Sequence, residues 1–570
     1  LGEEAIFDFS GSKVKLSGTL NVADGSVNSN NTSIIELQSA SIFSSNTEFT
    51  IPTLDLNSQA LTLNTSSTKV TLSNPLTISS EESINTQSGS LTLNDSLTLQ
   101  NNAKIESNAG SLIFNGSVSL DNSSLIFTGG SVAFNSAAQI SGGELKLYET
   151  ALILGADVAM TNSSTLRLKS TDLSGGTEKV NLTGGTLEFG GAFSDFDKIH
   201  TDSDTVLILN DNTNISTEGP MEIGGLKLNN FALTLGSATT DLTINTALKL
   251  ESAGSQLITN GADLNLPYPL QLNVGQITST GGTVTLTQGA TLANGSTLDL
   301  SGTTLKLQDD LSAENGDFIT NDSSILHLLD DVTVTFNGEK TFKTLEHNGN
   351  NLTLGNEDTD LKLLDPLELS SVTIYTGDAD LDLQETLTLG SNSWLDSSGG
   401  KLTIGGTVDS TSGVTLVGTE LALQSDLAIY GTLSTDSGST ISRNTLELNL
   451  SGGLLKLAGD LELAGTITDE TTKLTLQSDS MLTSQDGWTY KFGTLDLNGS
   501  ALSVKMAMSI NEPLILDAAG EQILTGTSGL TLNDSLAISA GKLSSQSGLI
   551  SFGSTANLGT DGIIEIQDGT

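Results

Sequence analysis

The 570 residues carry 67 acidic against 22 basic side chains, a net charge of −45, and no cysteine. That balance excludes a disulfide framework and thiolate metal sites, and it sets the chain against nucleic acid and anionic membrane surfaces. Basic stripes interleaved with aromatics are absent, Arg167 and Arg443 being the only arginines, and no apolar run is long enough to cross a bilayer.

The start, Leu1-Gly-Glu-Glu-Ala-Ile-Phe-Asp-Phe, has neither an initiator Met nor a signal-like pattern, and reads as a processed chain or a piece of a longer one. Ile34-Ile-Glu-Leu is a strand that leads to the closely spaced triplets Leu54-Asp-Leu-Asn and Leu61-Thr-Leu-Asn. From residue 70 an apolar-x-apolar triplet returns on a lattice of about 20 or 21 residues. One series runs Val70, Leu91, Leu112, Val132, Leu152; a second Leu76, Leu97, Val118, Ala138, Val158; a third Ile84, Ile105, Leu125, Leu145, Leu166, Leu187. The triplets alternate with period two and lie too close together for intervening helices. Three series with one period therefore predict an all-β parallel β-solenoid of three short strands per coil, some ~27 coils and a rod ~130 Å long. In each triplet the outer two residues point inward and the central one, such as Thr92, Thr98, Lys146 or Arg167, points outward.

A longer module overlies the coil. Its boundaries are predicted as N-terminal coils in 1–30, repeat modules in 31–202, 203–321, 322–470 and 471–562, and the start of a further module in 563–570. Each opens on an apolar strand, Val206-Leu-Ile-Leu being the second copy, and leads to closely spaced triplets such as Leu226-Lys-Leu-Asn. The lattice slips between Leu421 and Leu455, where a protruding loop or irregular coil is expected.

Parallel β-helices host polysaccharide lyases and hydrolases, in which paired acids flank the scissile bond. Asp309-Asp310 and Asp330-Asp331 are the only doublets on the lattice that match, without the histidine and basic partners that glycosidic cleavage of an acidic sugar requires. Arg167 is expected to pair with Glu188 one coil on. His200, His327 and His347 show no metal-ligand spacing. Asp378, Asp380 and Asp382 alternate on one strand face and form the calcium candidate, with Lys362 and Lys401 expected beside Asp382 and Asp380. Trp488, Tyr490 and Phe492 share a strand parity and are expected as a core plug at a module junction rather than a sugar-stacking platform. No catalytic residue and no cofactor are expected beyond calcium at turns. Sequons such as Asn64-Thr-Ser and Asn122-Ser-Ser are as frequent as this composition produces by chance.

Leu-Thr-Leu-Asn triplets, Gly-Gly corners and repeats such as Gly185-Thr-Leu-Glu-Phe and Gly400-Lys-Leu-Thr-Ile resemble the repetitive β-helical stalks of large bacterial surface and secreted proteins, including giant adhesins and autotransporter-like passengers. The resemblance covers the whole chain. It implies a non-enzymatic, extracellular, acidic rod, used as an adhesin stalk or as part of an extracellular filament. The alternative class is a carbohydrate-active β-helix enzyme or a phage tailspike. Ile6-Phe-Asp-Phe and Ile563-Ile-Glu-Ile are strand-like at once, so end-to-end association or continuation in a longer chain is expected, with surface glycans as the other candidate partner and neither nucleic acid nor membrane insertion.

Overall fold

The computed structural model describes the chain up to residue 567, apart from 192–195, 406–407, 411–412, 424–426, 430, 437, 443–447 and 464. Strands make up 54% of it and helix 1%, arranged as parallel stacked coils, a β-solenoid of about 25 turns. The turn number falls below the lattice estimate because several coils are longer than the repeat: Leu233 stacks on Leu257, and Leu311 on Val334. Contacts divide the chain into two compact units, Leu1–Thr285 with Asn294–Leu298, and Leu286–Ala293 with Asp299–Thr570.

In the first unit each sequence series becomes one sheet. Val70, Leu91, Leu112, Val132 and Leu152 are Cα partners in succession along a seven-stranded parallel sheet. The Leu76 to Val158 series forms a second seven-stranded sheet, and the Ile84 to Leu187 series lies in an eleven-stranded one. Register is set by the period-two pattern, since a slip of one residue would turn every Leu to water. The buried ladders consist of Leu, Ile, Val and Phe, while Thr92, Thr98, Lys146 and Arg167 are half-exposed on the outer face. Phe114 stacks on Phe134 one coil away, with ring centroids 5.0 Å apart.

In the second unit Leu305 pairs with Leu326, and Leu381, Leu402 and Leu421 pair in turn. The slip predicted after Leu421 is corrected by the ladder. Leu421 stacks on Ile441, whereas Leu455 stacks on Leu433. Leu421 and Leu455 lie on different faces of the coil. Within that stretch residues 424–426, 430, 437 and 443–447, Arg443 among them, lie outside the described residues.

One hydrogen-bonding device recurs in the corners, at the strands read as module openings and also elsewhere, as at Asn356 with Thr359 and Asp436 with Ser439. Before each opening strand stands an Asn or Asp with a Ser or Thr three residues later: Asn30 and Ser33, Asp202 and Thr205, Asn321 and Ser324, Asp469 and Thr472. Each of these hydroxyls is buried and donates to a carbonyl of the preceding coil, Phe9, Leu182, Leu300 and Leu450 respectively, at 2.9 to 3.1 Å. A buried hydroxyl without such a bond would cost roughly 1–3 kcal/mol, so the pair locks one coil onto the last.

The opening strands Ile34–Leu37, Val206–Leu209, Ile325–Leu328 and Lys473–Leu476 then pair with the short triplets Thr53–Asp55, Gly225–Lys227, Thr344–Glu346 and Thr494–Asp496. After each triplet comes a two-residue left-handed turn, Asn57-Ser58, Asn229-Asn230, Asn348-Gly349 and Asn498-Gly499, the conformation in which Asn and Gly cost least. In three of them the Asn amide donates back to the last carbonyl of the opening strand, Leu37, Leu209 or Leu328, at 3.0 to 3.3 Å. Beyond the turn the ladder on that face ends. Leu76–Ile78, Leu248–Leu250, Leu367–Leu369 and Leu514–Leu516 belong to other sheets.

Candidate functional site

Many of the aspartates accept backbone N–H groups at the coil corners. Asp310 Oδ1 accepts the Thr333 N–H at 2.6 Å and Asp331 Oδ1 that of Asn351 at 2.7 Å, while Asp309 and Asp330 each accept from the amide that follows them. The two doublets are thus corner staples between coils. Others repeat the device: Asp157 to the Lys179 N–H, Asp241 to Asp263, Asp263 to Thr283, Asp460 to Met481 and Asp479 to Ala501, all within 2.9 Å. An ionised carboxylate accepting a backbone N–H makes a strong bond where a corner would leave the donor unpaired.

Asp378, Asp380 and Asp382 sit around the strand Leu381–Leu383; Asp382 meets the Lys362 ammonium as expected, whereas Asp380 is engaged by the backbone amide of Lys401. Asp382 Oδ2 is 3.0 Å from Lys362 Nζ and its Oδ1 accepts from Gln384 Nε2, while Asp380 accepts the Lys401 N–H at 2.6 Å. Asp378 is exposed at the corner before the strand. Among the described residues no group of three or more His, Cys, Asp or Glu is disposed to hold a metal ion.

Arg167 lies between two acids rather than one. Its Nε is 3.3 Å from Glu188 Oε2 and 2.9 Å from Glu144 Oε1. The half-exposed guanidinium makes this a modest outer-face network. Glu144 was missed in the sequence because it is diagonal to Arg167: its register partner is Thr165.

The histidines separate by role. His200 is exposed at the end of Ile199–His200. His327 and His347 meet at the third module junction: His327 Nδ1 is 2.6 Å from Glu346 Oε2, and its Nε2 accepts from Asn348 Nδ2 at 2.7 Å. His347 Nε2 donates to the Glu368 carbonyl at 2.7 Å and its Nδ1 accepts the Gly349 N–H. His347 thereby spans the face on which the ladder has ended.

Tyr490 and Phe492 are core residues, 2% and 0% exposed, as are Phe49 and Phe342 before their own junctions. Trp488 is not part of that plug. It precedes the strand Thr489–Phe492, follows Gly487 with φ +75°, and is 51% exposed. The Tyr490 hydroxyl reaches the Leu463 carbonyl and Asp486 Oδ2, both at 2.5 Å, and Asp486 also accepts from the amides of Trp488 and Gly465.

These bonds set the pH response. Burial works to raise Asp486, but hydrogen bonds from Tyr490, Trp488, Gly465 and Ser484 outweigh it and hold the carboxyl at about 2. Tyr490 is pushed up to about 12, first by burial and then by its bond to Asp486. The turn carboxylates behave alike. Asp202 and Asp436 are lowered because hydrogen bonds from Thr205 and Gly184, and from Gly418 and Ser439, overcome burial; Asp469 is lowered chiefly by Thr471. A carboxyl lowered in the fold stabilises fully above its unfolded value, near ~4, and that stabilisation is lost as pH falls through the folded value. The coil corners should therefore weaken progressively between pH ~4 and ~2. Denaturant midpoints measured across that window should fall, and an Asp486→Asn, Asp202→Asn, Asp469→Asn triple variant should flatten the fall.

Two clefts open at the second module junction. One, about 510 Å³, is bounded by Ser203 and Asp204, by Gly224 to Asn229 and by Thr246 to Ser252. It is the face between Gly225–Lys227 and Leu248–Leu250, where the ladder stops. The other, about 580 Å³, is lined by Lys179, Phe196 to Thr201, Thr217 to Glu222 and Thr243. No family model, curated protein or solved structure matches the chain.

Proposed function

We propose that the chain is a non-enzymatic structural segment, an extracellular β-helical stalk or filament piece whose task is to span distance stiffly. The observation that carries this reading is the use of the acids. Asp309, Asp310, Asp330 and Asp331, the doublets with the composition of a hydrolytic pair, each accept a backbone N–H at a coil corner, and stapled carboxylates are poorly placed to shuttle protons at a glycosidic bond. The repeated corner pairs and aliphatic ladders support the same reading, because each coil is built to bind its neighbours. Leu558, Ile563 and Ile566 on the strand Ala556–Ile566 are about half exposed, an apolar edge that supports association with a second copy.

The test incubates the 570-residue chain with acidic plant and microbial polysaccharides, with and without calcium, and images it by negative stain. The expected result is no new reducing ends or unsaturated products, together with elongated particles that associate end to end. Turnover lost on Asp310→Asn or Asp331→Asn would overturn the reading.

A further inference from the structure

One aspartate stands apart from the corner staples. Asp396 lies within the strand Trp394–Ser397, half-buried on its outer face, and among the described residues its carboxylate meets neither a backbone N–H nor a basic side chain. Its register partners are Tyr375 in the preceding coil and Thr415 in the following one, so no lysine opposes it as Lys362 opposes Asp382.

The surroundings of this carboxylate are aromatic. Trp394, two residues earlier on the strand and so on the same face, is 38% exposed, and Tyr375 is 42% exposed. Trp394 pairs with Thr373 in the preceding coil and Gly413 in the following one. A Cβ added at Gly413 would overlap the indole at Cζ3 and lie 2.9 and 3.0 Å from Cε3 and Cη2. The benzo ring therefore fills the room that a side chain at 413 would take, which steadies the indole against the next strand while leaving much of it open to water. Tyr375 is diagonal to Trp394 on the same outer face, a spacing of about 7–8 Å between such positions. Among the described residues neither Trp394 Nε1 nor Tyr375 Oη has a hydrogen-bond partner. Half-buried Thr353, Thr373 and Thr415 complete the patch with hydroxyls.

We propose that Trp394, Tyr375 and Asp396 form a binding subsite for a neutral glycan, a chain of uncharged pyranose sugars. A pyranose has a face of C–H bonds that suits the electron-rich face of an aromatic ring. It also has a rim of hydroxyls, which donate to a carboxylate in charge-assisted bonds. Trp394 carries the stacking, Asp396 accepts from hydroxyls of the stacked sugar, and Tyr375 meets the next part of the chain with its ring and its free hydroxyl. Charge selects the class of glycan: an unpaired carboxylate in a chain of net charge −45 repels uronates and sulfated sugars. The subsite goes beyond the stalk reading and does not rest on it, since it requires binding and neither turnover nor assembly.

Trp394 and Trp488 are the two tryptophans, so in Trp488→Phe the indole emission reports on Trp394 alone. Titration of that full-length variant with cellohexaose and mannohexaose is expected to give a saturable change in emission with at least one of them, and hexagalacturonate is expected to give none. By calorimetry, Trp394→Ala and Asp396→Ala should each weaken the bound neutral hexasaccharide at least about ten-fold, as loss of a charge-assisted bond or a stacking surface requires. Trp394→Phe should retain most of the affinity, and Trp488→Ala all of it. Asp396→Asn, which keeps the shape of the side chain, is expected to weaken binding as well and stands in where a truncation fails to fold. No saturable response to either neutral hexasaccharide, equal affinity in Trp394→Ala, or tighter binding of hexagalacturonate would overturn the proposal. Emission from Trp394 that shifts with protein concentration alone would assign the patch to a second copy and overturn it too.

Discussion

Leu112→Asp is expected to cost at least about 4 kcal/mol, the sum of a lost buried leucine and an unpaired carboxylate in an aliphatic ladder. Leu112 is fully buried between Leu91 and Val132, its partners in the coils before and after. No polar side chain faces it from either, and the solenoid cannot relax around the charge without separating coils on that face. Leu145→Asp, between Leu125 and Leu166, should behave the same way. Thr92→Asp provides the contrast. Its register partners Thr71 and Ile113 are on the outer face with it, and the change should stay within about 0.5 kcal/mol. Because so long a stack does not unfold in one step, local opening by hydrogen exchange is the proper readout. Equal damage from Thr92→Asp and Leu112→Asp would mean that the faces are assigned wrongly.

The second large effect is expected at the glycine column of the first unit. A Cβ on Gly130 would lie 1.9 Å from the Gly110 carbonyl oxygen, and one on Gly110 would lie 2.1 Å from that of Gly89. Those carbonyls are in use, accepting the amides of Ser131 and Ser111. Gly130 also has φ +76°, a conformation that costs other residues about 1 kcal/mol. Gly130→Ala is therefore expected to destabilise by about 3 kcal/mol, combining backbone strain with overpacking that pushes two coils apart. Gly338 separates the two causes. Its φ is +70°, but no atom lies within 4 Å of the added Cβ, so Gly338→Ala should cost about 1 kcal/mol only. Exchange measurements that find the two variants alike would show that coil spacing at the Gly89, Gly110 and Gly130 corner is not limiting.

The inward-facing pattern was legible because it obeys a local rule. Val70, Leu91, Leu112 and Val132 recur at near-constant spacing, and period-two alternation fixes which side each presents, so the three series could be laid out as three sheets from residues alone. The pairing of Lys362 with Asp382 followed from the same projection, one coil forward. That projection reached no further than the register partner, and so it found Glu188 for Arg167 but not the diagonal Glu144. Trp488 was placed with Tyr490 and Phe492 by parity, but the chain turns at Gly487 before the strand begins, and parity holds only within a strand.

The sequence by itself determined the all-β class, the parallel coil, its three faces and its buried ladders, because each depends on spacing along one chain and on the preference of aliphatic side chains for a dry interior. Only the tertiary structure decided where each ladder ends and what the acids do. Whether Asp331 catalyses, binds an ion or accepts the Asn351 N–H depends on which backbone donor the next coil brings within 2.7 Å, a distance set by the corner conformation. The same holds for the Asn or Asp with Ser or Thr three residues on. The residues were visible at Asn30 and Ser33 or Asp469 and Thr472, but their partners, the Phe9 and Leu450 carbonyls, come into reach only when one coil is stacked on another.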